Sequence, residues 1–440
     1  MNLTKPTILA AAVSTALMLT ACGGGGSSSP SASVAAASTT INGSVVDGPI
    51  SGANVCLYAN GSEVLSGSNP VCATTDASGN YTLSIPGGGV KAADYLNLII
   101  TKSSAIKLAS AIGTMQDLLN AAKNNVVSAA DLPAVQVTNL TSAQFALVAG
   151  TDGFVDEAEA QGMAKEKQHD VGVISTLIKS YIDGGEHARD LHGSTDTLAM
   201  ADDAASGLAN NKNLKDGESP DTEASNYLNA QLTDWVTGKT FVINDSSGTN
   251  IVTFAQGSTP DTGIVTIVGG TPPIRDTGTW TLDTTQTPPV ITISGTQHTN
   301  STIQVLGLGD SADSGVSNIY VQISTMTYPE TLRATIPFVT ADISGKTVTY
   351  NNNSVSFNAD GTGLDHSACS ANGAIISSWS VTKTGALLAD ETSSCTGDMR
   401  YAYLLERDDN TLKFAGYAIK PATNTVDGTV TAHTYTVTTP

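Results

Sequence analysis

Positive charge is scarce in this chain. Its 440 residues contain 20 Lys and Arg against 40 Asp and Glu, a formal net charge of −20 at pH 7. Proteins that hold nucleic acid through its phosphates present basic patches, so nucleic acid is excluded as a partner. The same acidity repels anionic lipid headgroups, so surface charge will not hold the chain on a membrane.

Catalytic motifs are also missing. The sequence has no phosphate-binding P-loop, dinucleotide fingerprint, His-Glu-x-x-His or Gly-x-Ser-x-Gly. Gly309-Asp310-Ser311 is similar to the start of a class of serine esterases, but that class needs a late Asp-x-x-His, which is absent. A nucleophile without a base is not activated, so a polar turn is the simpler interpretation.

Cysteine is rare, and no Cys-x-x-Cys occurs, which argues against a thiol oxidoreductase, a zinc ribbon or a c-type haem. Cys56 and Cys72 lie 16 residues apart, and Cys369 and Cys395 lie 26 apart, each pair within one β-rich region. In an oxidising compartment we expect two local disulfides, Cys56–Cys72 and Cys369–Cys395.

The start of the chain has the pattern of a secretory signal. A short polar segment with one positive charge precedes an apolar run from Pro6 to Thr20. That run is too short to span a bilayer stably as a mature helix. We therefore expect a signal peptide over residues 1–21.

The end of this leader, Leu19-Thr20-Ala21-Cys22, resembles the lipobox of bacterial lipoproteins. In that family the chain is cut before the cysteine and the thiol is diacylated. The resemblance implies a lipid on Cys22, a Gly- and Ser-rich tether over 22–39 and a place in the cell envelope. Because Gly23 is not the aspartate that retains lipoproteins in the inner membrane, it implies outer-membrane sorting. An ordinary signal peptide with a chance cysteine is the alternative.

Residues 40–101 have the pattern of a small β-sandwich. Gly43 to Asp47 reads G-x-V-x-D, Gly52 to Val55 reads G-A-x-V, and Thr75 to Tyr81 reads T-D-x-x-G-x-Y. These pieces resemble the carboxypeptidase regulatory-like, or transthyretin-like, domain. The resemblance implies a non-catalytic accessory fold.

Residues 102–236 predict a helical domain of four to six helices. Apolar residues recur at helical spacing from Leu108 to Leu119 and from Val173 to Ile182. Two further helices are predicted at 141–149, with Thr141 or Ser142 as N-cap, and at 222–235. The polar stretch 198–220 is interpreted as a long loop.

The remainder is predicted to be all β and repeated, with units at 237–344 and 345–440. Gly-Lys-Thr at Gly238 returns at Gly345, and Trp280 returns at Trp379, with offsets of 107 and 99 residues. Each unit is similar to lipocalin-like β-sheet proteins. The fold class is thus multidomain and mainly β, with a helical middle.

An acidic stretch offers a calcium hypothesis. Asp152, Asp156 and Glu159 match the second half of an EF-hand loop, but Val148 and Gly150 stand at its first two ligand positions. The alternative is a helix N-terminus favoured by acidic residues. No other cofactor is indicated.

Two further sets of residues are candidates for binding. Glu186, His187, Asp190 and His192 cluster beside a predicted helix end. The two histidines could share a metal with Asp190, although a histidine near a helix C-terminus is more often a favourable dipole contact. Trp280 and Trp379 could form a platform for sugar rings, or they could be the buried tryptophan of each repeat unit.

We therefore expect a non-catalytic envelope lipoprotein, held to the membrane through its lipid, whose β-modules bind a glycan, a peptide or another envelope protein. The alternative is a hydrolase of an extracellular polymer whose site the sequence does not reveal.

Overall fold

Strands dominate the chain and helices occupy its middle, which confirms the predicted fold class. In the computed structural model the described residues are 38–47, 50–129, 131–150, 152–156, 158–159, 167–183, 190–245, 248–270, 274–286, 288–295, 301–310, 317–324, 330–351, 353–366, 373–391, 397–408 and 411–438. Cys22, Cys369 and Cys395 lie outside them.

Two larger sheets and one two-stranded hairpin make up the described first part of the chain. Its strands are β1 (Thr39–Val46), β2 (Asn54–Ala59), β3 (Ser62–Glu63), β4 (Leu65–Ser66), β5 (Asn69–Pro70), β6 (Cys72–Thr74), β7 (Asn80–Ile85), β8 (Tyr95–Thr101), β9 (Lys107–Thr114), β10 (Val126–Ser128) and β11 (Gln136–Thr138). In one sheet β1 pairs antiparallel with β7 and parallel with β10 and β11. In the other, β2 pairs with β3, β6 and β8, and β8 pairs with β9.

The two sheets share one core. Ile41 and Leu83 of the first sheet and Leu57 and Leu98 of the second are each at most 1% exposed and belong to one apolar cluster. Strand β7 alternates buried and exposed residues, as a half-buried strand does.

The helix predicted from Leu108 is wrong at its start. Lys107–Thr114 is strand β9, and the helix begins only at Met115. Thr114 caps that helix by accepting a hydrogen bond from the backbone N–H of Asp117, whose side chain accepts one from the backbone N–H of Thr114. Several small residues of β9 are buried as well as Leu108 and Ile112, which hides the alternation that would have predicted a strand.

The predicted pair Cys56–Cys72 is confirmed as a disulfide. The two residues face each other directly across β2 and β6, with their Cα atoms 4.1 Å apart. The pairing Cys369–Cys395 stays a prediction.

We expect that a Cys56→Ser/Cys72→Ser double variant unfolds more easily than the wild type. Loss of a loop closure of this length costs roughly 3 kcal/mol of unfolding free energy in the chain-entropy model. Urea denaturation of both proteins without reductant measures the difference. Equal midpoints under those conditions would contradict a stabilising role for the bridge.

The helices in the middle of the chain pack on this sandwich. They are α1 (Met115–Ala121), α2 (Asn139–Val148), α3 (Gln168–Asp183), α4 (Thr197–Asn210) and α5 (Pro220–Val236). A further short helix, α6 (Thr340–Ile343), lies far along the chain. The prediction of α3 and α5 is confirmed. The loop predicted at 198–220 is wrong for its first half, because Met200, Ala201 and Ala204 form a buried face of α4. The N-cap of α2 is Thr138, and Thr141 supports it from the third position.

A buried ion cluster ties the sandwich to the helices. Lys179 Nζ on α3 lies 3.0 Å from Asp47 Oδ1, just after β1, and 3.1 Å from Asp183 Oδ2 one turn along α3. The Lys179 side chain is only 4% exposed, and it lies over the ring of Trp235 on α5. Tyr227 of α5 donates a hydrogen bond of 2.7 Å to Asp183.

The first repeat unit is a closed eight-stranded antiparallel barrel. Its strands are β12 (Thr240–Asp245), β13 (Gly248–Gln256), β14 (Thr262–Gly269), β15 (Ile274–Asp283), β16 (Val290–Gly295), β17 (Ser301–Asp310), β18 (Ser317–Ile323) and β19 (Glu330–Ala334). We call it barrel 1. Tyr227, Leu228, Leu232 and Val236 of α5 belong to the same apolar cluster as its interior, so the helix closes over the barrel core.

The second unit is a nine-stranded sheet. Its strands are β20 (Lys346–Tyr350), β21 (Asn353–Phe357), β22 (Gly363–Asp365), β23 (Ala374–Ile376), β24 (Ser378–Val381), β25 (Leu387–Asp390), β26 (Met399–Asp408), β27 (Thr411–Lys420) and β28 (Thr425–Thr438). The edge strands are β23 and β24, and only Ser377 separates them in the chain. The sheet therefore wraps until its edges meet, and we call it barrel 2.

The repeat is visible in side-chain detail. Trp280 stands edge-on to Phe254 and donates from Nε1 to the carbonyl of the residue that follows that phenylalanine, at 2.9 Å. Trp379 stands edge-on to Phe357 and makes the same bond, at 3.0 Å. The two units are thus one architecture used twice.

The two barrels pack against each other. Val242, Ile251 and Val268 of barrel 1 form one buried cluster with residues of β26, β27 and β28, among them Leu405 and Ile419. Each barrel therefore has an apolar interior and one apolar outer face.

Candidate functional site

A cavity of about 440 Å³ lies inside barrel 2. Its apolar walls include Val348, Phe357, Ile376, Leu387 and Phe414. This volume falls within the range of 300–1,000 Å³ that is usual for small-molecule sites in proteins.

The strand register shows that barrel 2 has smaller side chains than barrel 1 at several positions around this cavity. Trp280 faces Ile293 on the next strand, whereas Trp379 faces Ala389. One pair further round, Ile291 faces Ile303 in barrel 1, whereas Leu387 faces Ala402 in barrel 2.

The series continues on the following strand, where Ile303 faces Ile323 in barrel 1 and Ala402 faces Gly416 in barrel 2. Three isoleucine positions of barrel 1 are therefore alanine or glycine in barrel 2. Protein interiors are normally close-packed, so three neighbouring positions with smaller side chains favour a cavity.

One end of this cavity is charged. Arg400 Nε donates to Glu391 Oε2 at 2.9 Å, and another guanidinium nitrogen lies 3.5 Å from Asp365 Oδ2. Glu391 and Asp365 are at most 1% exposed. Burial opposes the charged form of Arg400, but Glu391 and Asp365 outweigh it and raise the pKa of the guanidinium.

Two more carboxylates line the same end, Asp398 and Asp427. Asp398 is 4% exposed, and its Oδ1 has no hydrogen-bond partner among the described residues. Asp427 is half exposed and pairs with Lys420 at 3.2 Å. Burial, and next the charge of Asp427, raises the pKa of Asp398 above its ordinary value.

The opposite end of barrel 2 is closed by an apolar plug. At that end, Ile336, Phe338 and Ile343 belong to the same apolar cluster as the barrel core. Arg407 holds α6 in place by donating to Asp342 Oδ1 at 2.9 Å. Arg407 lies near the last residue of β26, whereas Asp398 immediately precedes the first. The cavity thus has an apolar closed end and a charged end.

Aromatic rings extend the lining. Phe414 and Tyr435 stack at 3.9 Å between centroids, and both line the cavity. The site can hold an organic molecule with an apolar body and a polar head.

Two of the residues proposed as calcium ligands, Asp156 and Glu159, form hydrogen bonds with each other. The backbone N–H of Glu159 donates to Asp156 Oδ1, and the backbone N–H of Asp156 donates to Glu159 Oε2, both at 2.8 Å. Asp152 accepts from the backbone N–H of Phe154. This reciprocal arrangement is that of a capping box, which agrees with the alternative of a helix N-terminus. Calcium binding stays a prediction.

The histidine cluster is brought together in part. Asp190, His192 and Asp216 place one ligand atom each within 4.8 Å of one another, with His192 Nδ1 2.6 Å from Asp216 Oδ2. Asp216 was not part of the sequence hypothesis. Glu186 and His187 lie outside the described residues.

The sugar-platform hypothesis is wrong for Trp280. Its side chain is fully buried in barrel 1, at 0% exposed, and cannot meet a glycan. Trp379 is partly exposed and packs against Phe357, a cavity residue.

A hydroxyl on β21 lies close to an imidazole just after β22. Ser356 Oγ lies 3.1 Å from His366 Nε2, in an exposed position. Neither residue lines the cavity.

No protein-family model, curated protein or solved structure matches the chain. Among the described residues, no helix has the length and apolar character needed to cross a bilayer.

Sequence reasoning missed the cavity and its charged end. One signal was present: Arg400 shares the alternation of Ala402 and Leu404 on β26, so it occupies an inward-facing position. Such a position for arginine in a strand with an apolar inner face indicates a buried partner.

Proposed function

We propose that this protein is a non-catalytic lipoprotein of the cell envelope that binds a small amphipathic molecule inside barrel 2. The expected lipid on Cys22 would hold it at the membrane, and the tether over 22–39 would give the folded part reach. Barrel 1, which has isoleucine at the matching interior positions, would serve as the neighbour on which barrel 2 packs.

One observation carries the proposal. Two barrels of the same architecture stand side by side, and the positions of Ile293, Ile303 and Ile323 in one are Ala389, Ala402 and Gly416 in the other. Large-to-small differences in a core cost stability unless something else occupies the space. A ligand is the occupant that would make the difference useful.

The test is a titration with Nile red, a neutral dye whose fluorescence rises in apolar surroundings. We expect saturable binding with one site per protein, because the cavity is closed at one end and its walls are apolar away from the charged end. Dye signal that grows without saturation, or none at all, would contradict the proposal.

An ester hydrolase is the second candidate, favoured by the contact between Ser356 and His366. A serine hydroxyl beside an imidazole is the first requirement of an activated nucleophile. Hydrolysis of p-nitrophenyl esters that disappears in Ser356→Ala would establish it and would overturn the non-catalytic reading.

The membrane anchor has its own prediction. Cys22→Ser removes the thiol that the lipid would occupy, so the variant is expected in the soluble fraction after cell lysis, with the wild type in the membrane fraction. Equal recovery of the variant in membranes would rule out a lipid on Cys22 as the anchor.

A further inference from the structure

We propose that the ligand of barrel 2 carries a positive charge, an ammonium or amidinium group, which Asp398 receives at the charged end of the cavity. This inference rests on the proposed function and adds the chemical class of the ligand head group.

The charged end of the cavity has more negative than positive groups. Four carboxylates line it, those of Asp365, Glu391, Asp398 and Asp427, and Arg400 is the basic residue of the lining. Lys420 adds one further positive charge through Asp427. Two negative charges are left in excess, so an anionic head group would be repelled and a cationic one attracted.

Arg400 pairs with two of the four carboxylates. Arg400 directs its guanidinium to Glu391 and Asp365, at 2.9 and 3.5 Å. These two carboxylates are therefore already supplied with a counter-charge. Asp398 is not part of that pair, and its Oδ1 is buried without a hydrogen-bond partner among the described residues.

Asp398 Oδ1 is a buried acceptor without a donor among the described residues. A buried carboxylate oxygen without a donor is expensive, and proteins normally supply a donor or a counter-ion. A ligand N–H would supply both, and the bond would be charge-assisted. Burial, and next the charge of Asp427, raises the pKa of Asp398, so a positive charge beside it would favour its ionised form.

The cavity separates an apolar region from a charged end. Away from the carboxylates the cavity wall is apolar, and it includes Phe414, whose ring packs edge-on against Phe338 of the plug. The ligand that matches has an apolar body no larger than the cavity and a cationic head at one end. A long polymer or a large glycan does not match this division.

The experiment uses three compounds with one body, octylammonium, 1-octanol and octanoate, as competitors of Nile red on the full chain. We expect octylammonium to displace the dye at a concentration at least about tenfold lower than octanoate. In Asp398→Asn this preference is expected to shrink to within about threefold while Nile red still binds, because the amide keeps the shape and loses the charge.

Asp234→Asn is the matched control, since it removes the same charge from an exposed position on α5. It is expected to keep the wild-type preference. Asp427→Asn is a second variant at the charged end and is expected to weaken the preference in part.

The outcomes separate the two proposals. Nile red binding with equal displacement by octylammonium and octanoate, or an unchanged preference in Asp398→Asn, overturns the cationic ligand and leaves the cavity function standing. Absence of Nile red binding overturns both. Preference for octanoate would show that Arg400, and not Asp398, receives the head group.

Discussion

Replacing Ala402 with phenylalanine is expected to lower the affinity of barrel 2 for Nile red at least about 100-fold, roughly 2.8 kcal/mol of binding free energy. Ala402 lies on β26 directly opposite Gly416, with Leu387 on its other side. A phenyl ring placed there would occupy the space that isoleucine side chains fill in barrel 1. The measurement is the same dye titration, made on wild type and variant.

The control for this prediction is at the same position. Ala402→Ser changes the residue without filling the cavity, so its affinity is expected to stay within about threefold of the wild type. Thermal unfolding of both variants shows whether barrel 2 remains folded. Full binding by a folded Ala402→Phe protein would place the dye elsewhere.

Replacing Lys179 with methionine is expected to cost roughly 3–5 kcal/mol of unfolding free energy. The Asp47 side chain is 0% exposed and lies 3.0 Å from the lysine ammonium. Methionine keeps the apolar stem but leaves a buried carboxylate without that counter-charge. Because the cluster joins the sandwich, α3 and α5, both regions should lose stability together in urea denaturation.

Two further variants make this result specific. Lys212→Met removes an exposed lysine just after α4 and is expected to change stability by less than about 0.5 kcal/mol. The double variant Lys179→Met/Asp47→Asn removes both charges and is expected to recover part of the loss. A loss below about 1 kcal/mol in Lys179→Met would contradict a structural role for the cluster.

The repeat could be predicted from the sequence because it rests on short local patterns. Gly238 and Gly345 open the two units, and Trp280 and Trp379 mark equivalent strands, so the offsets alone revealed one architecture used twice. The disulfide Cys56–Cys72 could be predicted for a similar reason, since both cysteines lie in neighbouring strands of one small region.

The errors of prediction arise where tertiary contacts override local patterns. Strand β9 buries small and large residues together, so Leu108 and Ile112 matched a helical period by accident. Helix α4 was missed because Met200 is the one large apolar residue among its buried residues, and the others are small or polar and give little hydrophobic contrast.

The candidate site could not be predicted because its residues are far apart in the chain and individually ordinary. Asp365, Glu391, Asp398 and Asp427 belong to different strands or strand ends, and only barrel closure brings them to one end. Alanine and glycine in a strand do not indicate a cavity until their neighbours are known. The comparison with Ile293 and Ile303 requires the strand register, which the sequence does not contain.

A binding site inside barrel 2 is tested most directly by an NMR titration with 1-octanol on protein labelled at alanine methyl groups. Ala389, Ala402 and Ala418 line the cavity of barrel 2, and Ala334 lies in the core of barrel 1. We expect saturable shifts at the first three methyl groups and none at Ala334. Shifts at Ala334 with none at Ala389, Ala402 and Ala418, or no saturable shift at any of them, would contradict a binding site inside barrel 2.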